Sequence, residues 1–435
     1  MRHLLKSPWA GIAAAQVAVI LALQALNLAV AVPRPNGADP AGYYAWAQSW
    51  LEDGDSDPAN QLTPGRAPVN SSVFPIIEIN GRPTLINRYP IGWSAAVFPF
   101  MALGHEIVGA GRVDGKRGDD GAHNGLEPLV VRMAWIGVYL WTLLGVLATY
   151  DSIRRLTSLR AAVLGTVAAW LGTSAFAYTW KSPGMVHSIT LAVISLSFWS
   201  AGRARRSRHA WAWSLLWGIL ASLTVCARVI DGIVLLPSFF LLLQSQWASD
   251  EQQTTRALRI RAIVTSSLCA LLGFLPLSLF QMSIWHTLYG QWYFDGYAAT
   301  GYRFSPNLQT LGLSLFSPDK GSLLWHPLII LAVGGLVLAS SSTPRNTSIR
   351  PLARLLVAVV IVIFALYGSW GYWSLGDGYG ARWTADLFWI WAFGLAALFA
   401  RSERVMRPVI VTVAVFSLAS LGWIGGQVIG KIPLH

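Results

Sequence analysis

The sequence predicts an all-α polytopic membrane protein with about eleven transmembrane helices. Its mean hydropathy is +0.49, and charged residues make up 12% of the chain, whereas about 25% is typical of soluble domains. Apolar runs of roughly 18–25 residues recur from end to end, long enough to cross a bilayer as helices. We therefore expect residues 1–435 to form a single transmembrane domain with no soluble C-terminal domain.

The first apolar run, 9–31, follows a basic start that contains Arg2 and Lys6. The run is longer than the roughly 7–15 residues of a signal-peptide core, so we expect an uncleaved anchor helix with its N-terminus in the cytoplasm. The other predicted spans lie near 128–150, 161–179, 184–201, 210–227, 229–247, 262–285, 322–339, 355–371, 383–400 and 408–427.

The net charge of +12 lies mostly in short arginine-rich connectors between the apolar runs. Basic connectors set the orientation of membrane proteins by remaining in the cytoplasm. The aromatic residues lie within or at the ends of the runs rather than among the arginines, so nothing resembles a stacking platform for nucleic acid. Membrane lipids are the expected partners, and no nucleic acid is expected.

The run 89–111 is ambiguous, because a crossing there would move every later arginine cluster to the other side of the membrane from Arg2 and Lys6. Charge bias therefore predicts a juxtamembrane or re-entrant element. Breaks at Pro90 and Pro99 would suit a helix that does not span.

This topology places three long segments, 32–127, 286–321 and 370–383, on the extracytoplasmic side. The few ionisable residues of the spans also lie near that side, and intramembrane charges usually mark function. They are Arg132, Lys181, His187, Arg228, Asp231, His286, His326, Arg382 and Asp386. A transporter would be expected to hold such groups near the midplane. The polar chemistry is therefore expected at one membrane face. Arg228 and Asp231 are three residues apart at a tight span junction, so we expect them to pair locally, with a donor-binding role as the alternative.

The first of these segments begins with "ADPAGYYAWAQSWLEDGDSD", which contains five of the chain's 20 acidic residues. We expect a surface-lying helix with Asp39 as N-cap, Pro40 as first helical residue and Gly54 as stop. The aromatic residues of this stretch suit the lipid headgroup zone; they are Tyr43, Tyr44, Trp46 and Trp50. A capping role alone would also explain Asp39. A solvated turn alone would explain the other four acidic residues, which are Glu52, Asp53, Asp55 and Asp57.

Four stretches together resemble the GT-C glycosyltransferases, and most closely the bacterial branch related to protein O-mannosyltransferases. They occur in that family's order: "ADPAGYYAWAQSWLEDGDSDPANQ", "INGRPTLINRYPIGWSAAVFPFMALG", "LFSPDKGSLLWHPLIILAVGGL" and "WSLGDGYGARWTADL". The resemblance implies a GT-C fold with juxtamembrane helices in a large first extracytoplasmic loop, 32–127. It also implies an inverting enzyme of the bacterial inner membrane that moves a sugar from a polyprenyl-phosphate donor to an unknown lipid, glycan or protein acceptor.

The same resemblance assigns roles to particular residues. Asp39 matches the position of the general base, because an acceptor hydroxyl must lose its proton as it attacks. Arg382 in "GYGAR" is the first candidate for the lipid phosphate, whose negative charge grows during transfer. Further candidates for the phosphate, chosen because they lie on the same membrane face rather than by the resemblance, are Lys320, Arg303, Arg88 and His326. A structural or lipid-anchoring role is the alternative for each of them, and headgroup anchoring is the alternative for Arg382. Glu52 and Asp377 are candidates for a second acid or an acceptor contact.

The sequence also departs from the family's pattern. Asn87 and Arg88 precede Tyr-Pro where some relatives carry a metal-binding acid, so we expect no metal cofactor, although a divalent ion stays open. Asp377 puts a negative charge in the motif on the phosphate side. Two other functions remain open: a lipid-linked sugar flippase or transporter, and an O-antigen ligase or polymerase.

Overall fold

The structure is a computed structural model that describes residues 7–30, 35, 37–62, 74–110, 125–204, 207–247, 256–341, 349–374 and 380–401, with positions 410, 411, 414, 415, 418 and 422. The first half of the described chain forms α1 (Pro8–Val30), α2 (Ala38–Glu52), β1 (Ile76–Ile79), β2 (Arg82–Leu85), α3 (Gly92–Ala110), α4 (Pro128–Leu156), α5 (Leu159–Leu171), α6 (Ala175–Trp180) and α7 (His187–Ala204). The second half forms α8 (Ala210–Ala227), a 3₁₀ helix (Val229–Leu235), α9 (Leu236–Trp247), α10 (Arg256–Tyr289), α11 (Gly296–Ala299), α12 (Leu308–Phe316), α13 (Ser322–Trp325), α14 (Leu328–Ser341), α15 (Ile349–Gly368), a second 3₁₀ helix (Arg382–Ala385) and α16 (Phe388–Phe399).

The described residues contain five helices that are long and apolar enough to cross a membrane, and four shorter apolar helices. Together they confirm a multi-pass membrane protein. The predicted span 408–427 falls almost entirely outside the described residues, so the count of eleven stays a prediction.

The core lies where α4, α5, α7, α14 and α16 pack together. Phe198 of α7 and Trp389 of α16 stack with ring centroids 3.7 Å apart and planes within 4°. The Trp389 indole donates a hydrogen bond of 2.7 Å to Ser152 of α4. The buried indole nitrogen thus has the partner that a tryptophan inside a bundle needs.

The all-α expectation missed a small antiparallel hairpin in the first loop. Ile76 pairs with Leu85 and Ile79 with Arg82, which leaves Asn80 and Gly81 as a two-residue turn. Both turn residues have positive φ, 53° and 75°, as a type I′ turn requires. The Asn-Gly pair between apolar residues was the sequence signal for this hairpin.

The N-cap expected at Asp39 is wrong. Helix α2 begins at Ala38 with Gly37 as its N-cap, and no side chain caps it. Asp39 is already inside the first turn, and its carboxylate bonds Tyr89 and Arg382 instead of the helix backbone. Charged partners of this kind bind a carboxylate more strongly than a neutral backbone amide does. The stop at Gly54 is confirmed, since Gly54 has a φ of 69° directly after the helix.

The aromatic residues of α2 are buried in protein rather than set among lipid headgroups. Tyr43, Tyr44 and Trp46 are at most 3% exposed, because α2 packs against α3. Helix α3 itself continues through Pro99 instead of breaking there. In the turn before this proline the Trp141 indole donates to the Ala96 carbonyl at 3.0 Å.

Candidate functional site

A cavity of about 430 Å³ opens where several helix ends meet. It lies between the start of α2, the start of α7, the junction after α8, the loop before α11, the end of α15 and the second 3₁₀ helix. Its charged and titratable lining includes Asp39, Arg88, His187, Arg228, Asp295 and Arg382. Tyrosine dominates the rest of the wall, with Tyr43, Tyr89, Tyr293, Tyr297, Tyr302, Tyr367 and Tyr372.

Asp39 and Arg382 form an ion pair on the cavity wall. The Arg382 Nη1 atom lies 2.8 Å from Asp39 Oδ2, and the two side chains are 18% and 20% exposed. The Tyr89 hydroxyl donates to the other carboxylate oxygen, Asp39 Oδ1, at 2.6 Å. The structure therefore brings together the proposed base and the first candidate for the phosphate, which lie near opposite ends of the sequence.

These contacts decide the protonation state of Asp39. Burial raises the pKa of Asp39, but the Arg382 guanidinium, the Tyr89 hydroxyl and Arg88 together lower it by more, so the pKa lies below its ordinary value of 3.8. Asp39 is thus a carboxylate at neutral pH. Its ion pair with Arg382 makes it a weaker base than a free aspartate, so loosening that pair would raise its basicity.

Arg88 is also on the wall, in a different environment. Its guanidinium carbon lies 4.9 Å from the ring centroid of Tyr302, 5.4 Å from that of Tyr89 and 5.7 Å from that of Tyr297. Within the described part of the chain it forms no ion pair with a carboxylate. The aromatic rings stabilise the guanidinium group of Arg88 without neutralising its charge. Arg88 can therefore bind an anionic ligand that enters the cavity.

The segment that holds Arg88 and Tyr89 is fixed to α2. Asn87 Nδ2 donates to the Gly42 carbonyl at 2.8 Å, and the Trp46 indole donates to the Tyr89 carbonyl at 2.8 Å. A β-carbon at Gly42 would lie 2.1 Å from the Tyr89 ring, so only glycine permits this approach. Asn87 thus has a positioning role at the place where relatives carry an acid.

The opposite wall is the loop around α11. Asp295 caps this helix by accepting from the backbone amides of Tyr297 and Ala298 at 3.1 and 3.0 Å. The cap sets the Tyr297 ring edge-on to Tyr89, with centroids 6.1 Å apart. Ser305 N donates to the Ser369 carbonyl at 2.6 Å, which ties the loop to the end of α15.

A second group of charged side chains lies behind the first. Arg228 Nη1 is 2.8 Å from Asp386 Oδ2, and Arg228 Nε is 3.6 Å from Asp231 Oδ2. His187 Nδ1 lies 3.0 Å from Asp386, and the Arg228 Nη2 group also donates to the Tyr367 hydroxyl. The local pairing of Arg228 with Asp231 expected from sequence is therefore only part of a larger network.

Lys320 and His326 are buried, on the connection between α12 and α14. A β-carbon at Gly380 would lie 2.9 Å from His326 Nε2, so His326 lies against the backbone two residues before Arg382. Neither side chain lines the cavity. The structure thus places them beside the Arg382 segment rather than in the cavity wall.

The remaining predicted site residues lie elsewhere. Arg303 is exposed and does not line the cavity. Glu52 is at the other end of α2, about 20 Å along the helix from Asp39, and its Oε1 atom is 4.0 Å from His105 Nδ1. Asp377 lies outside the described residues.

The described residues contain no cluster of three or more His, Cys, Asp or Glu side chains that could hold a metal ion. Of the two carboxylates that line the cavity, Asp39 is bound by Arg382 and Tyr89, and Asp295 caps α11.

Sequence reasoning noted Arg228, Asp231, His187 and Asp386 as charges near span ends but did not place them together. Arg228 and Asp386 are 158 residues apart in sequence, so no local pattern could pair them. The usable signal was the rule that charges inside membrane segments pair with one another.

Comparison with solved structures relates this architecture to a known one. ArnT from Cupriavidus metallidurans in the apo state aligns with a TM-score of 0.53 at 16% identity, over 98% of this chain and 66% of ArnT. The same protein bound to undecaprenyl phosphate aligns with a TM-score of 0.51 at 16% identity, over 96% of this chain and 65% of that one. The chain has the GT-C glycosyltransferase fold.

The GT-C fold implied by the four sequence motifs is thereby confirmed. The chain spans about two thirds of the length of ArnT. The Archaeoglobus fulgidus oligosaccharyltransferase in complex with Zn and sulfate aligns with a TM-score of 0.48 at 14% identity, over 94% of this chain and 52% of that one. The sequence itself matches no protein-family model and no curated protein.

Proposed function

We propose that this protein is an inverting glycosyltransferase that moves a sugar from a polyprenyl-phosphate donor to an acceptor hydroxyl. The observation that supports this most strongly is the ion pair of 2.8 Å between Asp39 and Arg382 on the wall of the cavity. A carboxylate at Asp39 and several guanidinium groups around one cavity are the groups that this reaction needs: a base for the acceptor and cations for a phosphate.

In the proposed reaction the acceptor oxygen attacks the anomeric carbon of the donor sugar. Its proton passes to the Asp39 carboxylate as the new carbon–oxygen bond forms. The bond between the anomeric carbon and the phosphate oxygen breaks on the opposite side, and its electron pair leaves with the polyprenyl phosphate. A single displacement of this kind inverts the anomeric carbon.

The leaving phosphate gains negative charge as that bond breaks. Arg88 and Arg382 both line the cavity, and preorganised cations stabilise such charge in the transition state. Arg382 cannot serve the phosphate fully while it is paired with Asp39. We therefore infer that the donor phosphate draws Arg382 away from Asp39, which raises the basicity of the carboxylate when the donor is in place.

The fold supports a lipid-linked donor. ArnT, which shares the fold, has been solved bound to undecaprenyl phosphate. In this chain Val229, Ile230 and Ile233 of the first 3₁₀ helix line the cavity on its apolar side. These side chains offer an apolar surface to the first units of a prenyl chain.

The proposed orientation places the cavity on the extracytoplasmic side of a bacterial inner membrane, with the N-terminus in the cytoplasm. It follows from the positive-inside distribution of the arginine-rich connectors. Reporters fused after residues 118 and 310 should both report the extracytoplasmic side, and one after residue 206 the cytoplasm. A cytoplasmic signal at 310 would mean that α3 crosses the membrane and would reverse the orientation.

Asp39→Asn tests the chemistry. The amide retains the size of the side chain, its oxygen can accept from Arg382 and its NH2 group can donate to the Tyr89 hydroxyl, but it has no usable proton affinity. We expect turnover to fall by about 10²–10⁴-fold, the usual contribution of a general base. The assay is release of polyprenyl phosphate from a polyprenyl-phosphate sugar by purified protein, with envelope extracts as the acceptor source.

The substitution also leaves Arg382 without its counter-charge, so thermal stability and donor binding are measured on the same preparation. A variant that folds and binds donor but does not release polyprenyl phosphate supports the proposed role. Full activity in a stable Asp39→Asn variant would remove Asp39 as the base.

A further inference from the structure

Asp386 is the most completely enclosed carboxylate beside the cavity, with a side chain 1% exposed. Arg228 Nη1 lies 2.8 Å from Oδ2, and His187 Nδ1 lies 3.0 Å from both oxygens. The Thr190 hydroxyl donates to Oδ1. Arg228, His187 and Thr190 occupy its acceptor sites and Asp231 is also hydrogen-bonded to it, so Asp386 itself has little capacity left for a substrate.

These partners belong to separate parts of the fold. His187 and Thr190 lie in the first turn of α7, and Arg228 is the C-cap of α8. Asp386 follows the second 3₁₀ helix, Arg382–Ala385, as its C-cap. One carboxylate therefore joins the start of α7 and the ends of α8 and the second 3₁₀ helix, behind the cavity wall.

The turn that ends at Asp386 begins at Arg382. Ser174 Oγ holds its middle through a contact of 2.7 Å with Thr384 Oγ1. Asp386 is thus bound to Arg228 directly and connected to Arg382 through one short turn. Both guanidinium groups line the cavity, whereas Asp386 does not.

We propose that Asp386 is a positioning residue that sets the spacing of Arg228 and Arg382, so that both guanidinium groups meet the donor phosphate together. This inference rests on the proposed function and adds Arg228 to the phosphate site. A buried ion pair is seldom retained for stability, since well-packed apolar residues often replace one at no cost. Fixing the geometry of reacting charges is a reason to retain it.

The test is a double-mutant cycle between Asp386→Asn and Arg228→Gln. Asp386→Asn should lower kcat/KM for the donor by about 10–100-fold, the usual loss when a group that orients a ligating side chain is removed. In the Arg228→Gln background the same change should cost less than about threefold, because residues in one network are not additive. Additive losses in kcat/KM would overturn the proposal, because the effect of Asp386 on the donor would then not pass through Arg228. Thermal stability is measured in the same cycle, since the direct ion pair couples the two residues in stability as well.

Thr190→Val serves if Asp386→Asn does not fold. Valine has nearly the shape of threonine and leaves the charge of Asp386 unchanged, but it removes the hydrogen bond from the Thr190 hydroxyl to Asp386. It should therefore lower kcat/KM by a smaller factor than Asp386→Asn does, and only while Arg228 is present. Asp151→Asn is the matched control, because Asp151 is an arginine-bound acid away from the cavity. Unchanged kcat/KM in a folded Thr190→Val protein would overturn the proposal.

Binding of a short-chain polyprenyl phosphate separates this inference from the proposed function. If wild-type protein transfers no sugar but binds this probe, the proposed transfer fails while the positioning role is still measured by the probe. We expect Asp386→Asn to bind it about tenfold or more weakly. Wild-type affinity in the folded variant would overturn the role of Asp386 whatever the activity.

Discussion

Helix α7 connects two clusters of aspartate and arginine that differ in almost every respect but composition. It begins at His187, beside Asp386 and Arg228 at the cavity, and its last turn contains Arg203, which pairs with Asp151. With 18 residues the helix is about 27 Å long, so the clusters lie near opposite ends of the bundle.

The Asp151 cluster is local and partly solvated. Arg154 and Arg155, on the same helix, lie 2.5 and 3.0 Å from the carboxylate at spacings of three and four residues. Arg203 lies 3.0 Å away, and the three arginine side chains are 24–39% exposed. Pairs of this kind contribute little and are screened by salt. This cluster suits a helix end in the headgroup zone of a membrane.

The cavity cluster is neither local nor solvated. Asp39 and Arg382 come from opposite ends of the chain, and the carboxylate of Asp386 is almost fully enclosed. Removing so many charges from water costs free energy. Their presence in spite of this cost points to a functional site. The contrast teaches that burial and a facing cavity, rather than the residue types, mark the site.

The largest expected difference between the two clusters is at Arg382. Arg382→Ala should lower turnover by about 10²–10³-fold, the usual loss of one preorganised charge donor. Arg382→Lys should recover only part of it, because the planar fork that matches a phosphate is lost. Both are measured as release of polyprenyl phosphate, and a wild-type rate in Arg382→Ala would reduce Arg382 to an anchor for Asp39.

The next largest expected effect is a shift in the pH dependence of kcat/KM. Because Arg382 and Tyr89 hold the pKa of Asp39 below 3.8, the acidic limb of kcat/KM due to this group lies below that pH. Arg382→Gln removes the charge and leaves burial, which raises the pKa, so the limb should move to higher pH. The ion pair between Asp39 and Arg382 should stabilise wild-type protein above the pKa of Asp39, and this stability should be lost as the pH falls through that lowered pKa. Arg382→Gln protein lacks the pair and should not show this loss.

The pH profiles are compared with thermal melting at each pH. An identical acidic limb in wild-type and Arg382→Gln protein would show that Arg382 does not control Asp39.

The smallest effect is expected at Asp151. Asp151→Asn should change turnover by less than about twofold and lower thermal stability by an amount that shrinks in high salt, as for exposed ion pairs. A large loss of activity would mean that the two clusters are coupled through α7, and the contrast between them would fail.

The fold was largely predictable from sequence because its signals are local. Apolar runs, Gly54 after α2 and each of the four motifs are recognised within one short stretch of sequence. The Asn80-Gly81 turn was equally local, but an expectation built on long apolar runs did not include a pair of four-residue strands. Burial of Tyr43 and Trp46 was not predictable, because amphipathic aromatics suit both a headgroup zone and a protein core.

The site was predictable only in part. Motif position selected Asp39 and Arg382, the expected membrane face selected Arg88, and the structure places all three on one cavity. The contacts that set their chemistry join residues far apart in sequence, as Asp386 and Arg228 show. Arg303 was chosen because it was expected on the same side of the membrane. That criterion does not determine which residues meet at the cavity, and Arg303 lies away from it.

The central claim is that Asp39 acts as the base while Asp151, a similar acid bound by arginine, does not. The most direct test measures release of polyprenyl phosphate in a single turnover by wild-type, Asp39→Asn and Asp151→Asn proteins, each shown to bind the donor. Our account predicts near-complete loss of release in Asp39→Asn and a wild-type rate in Asp151→Asn. Equal rates in the two variants would contradict it.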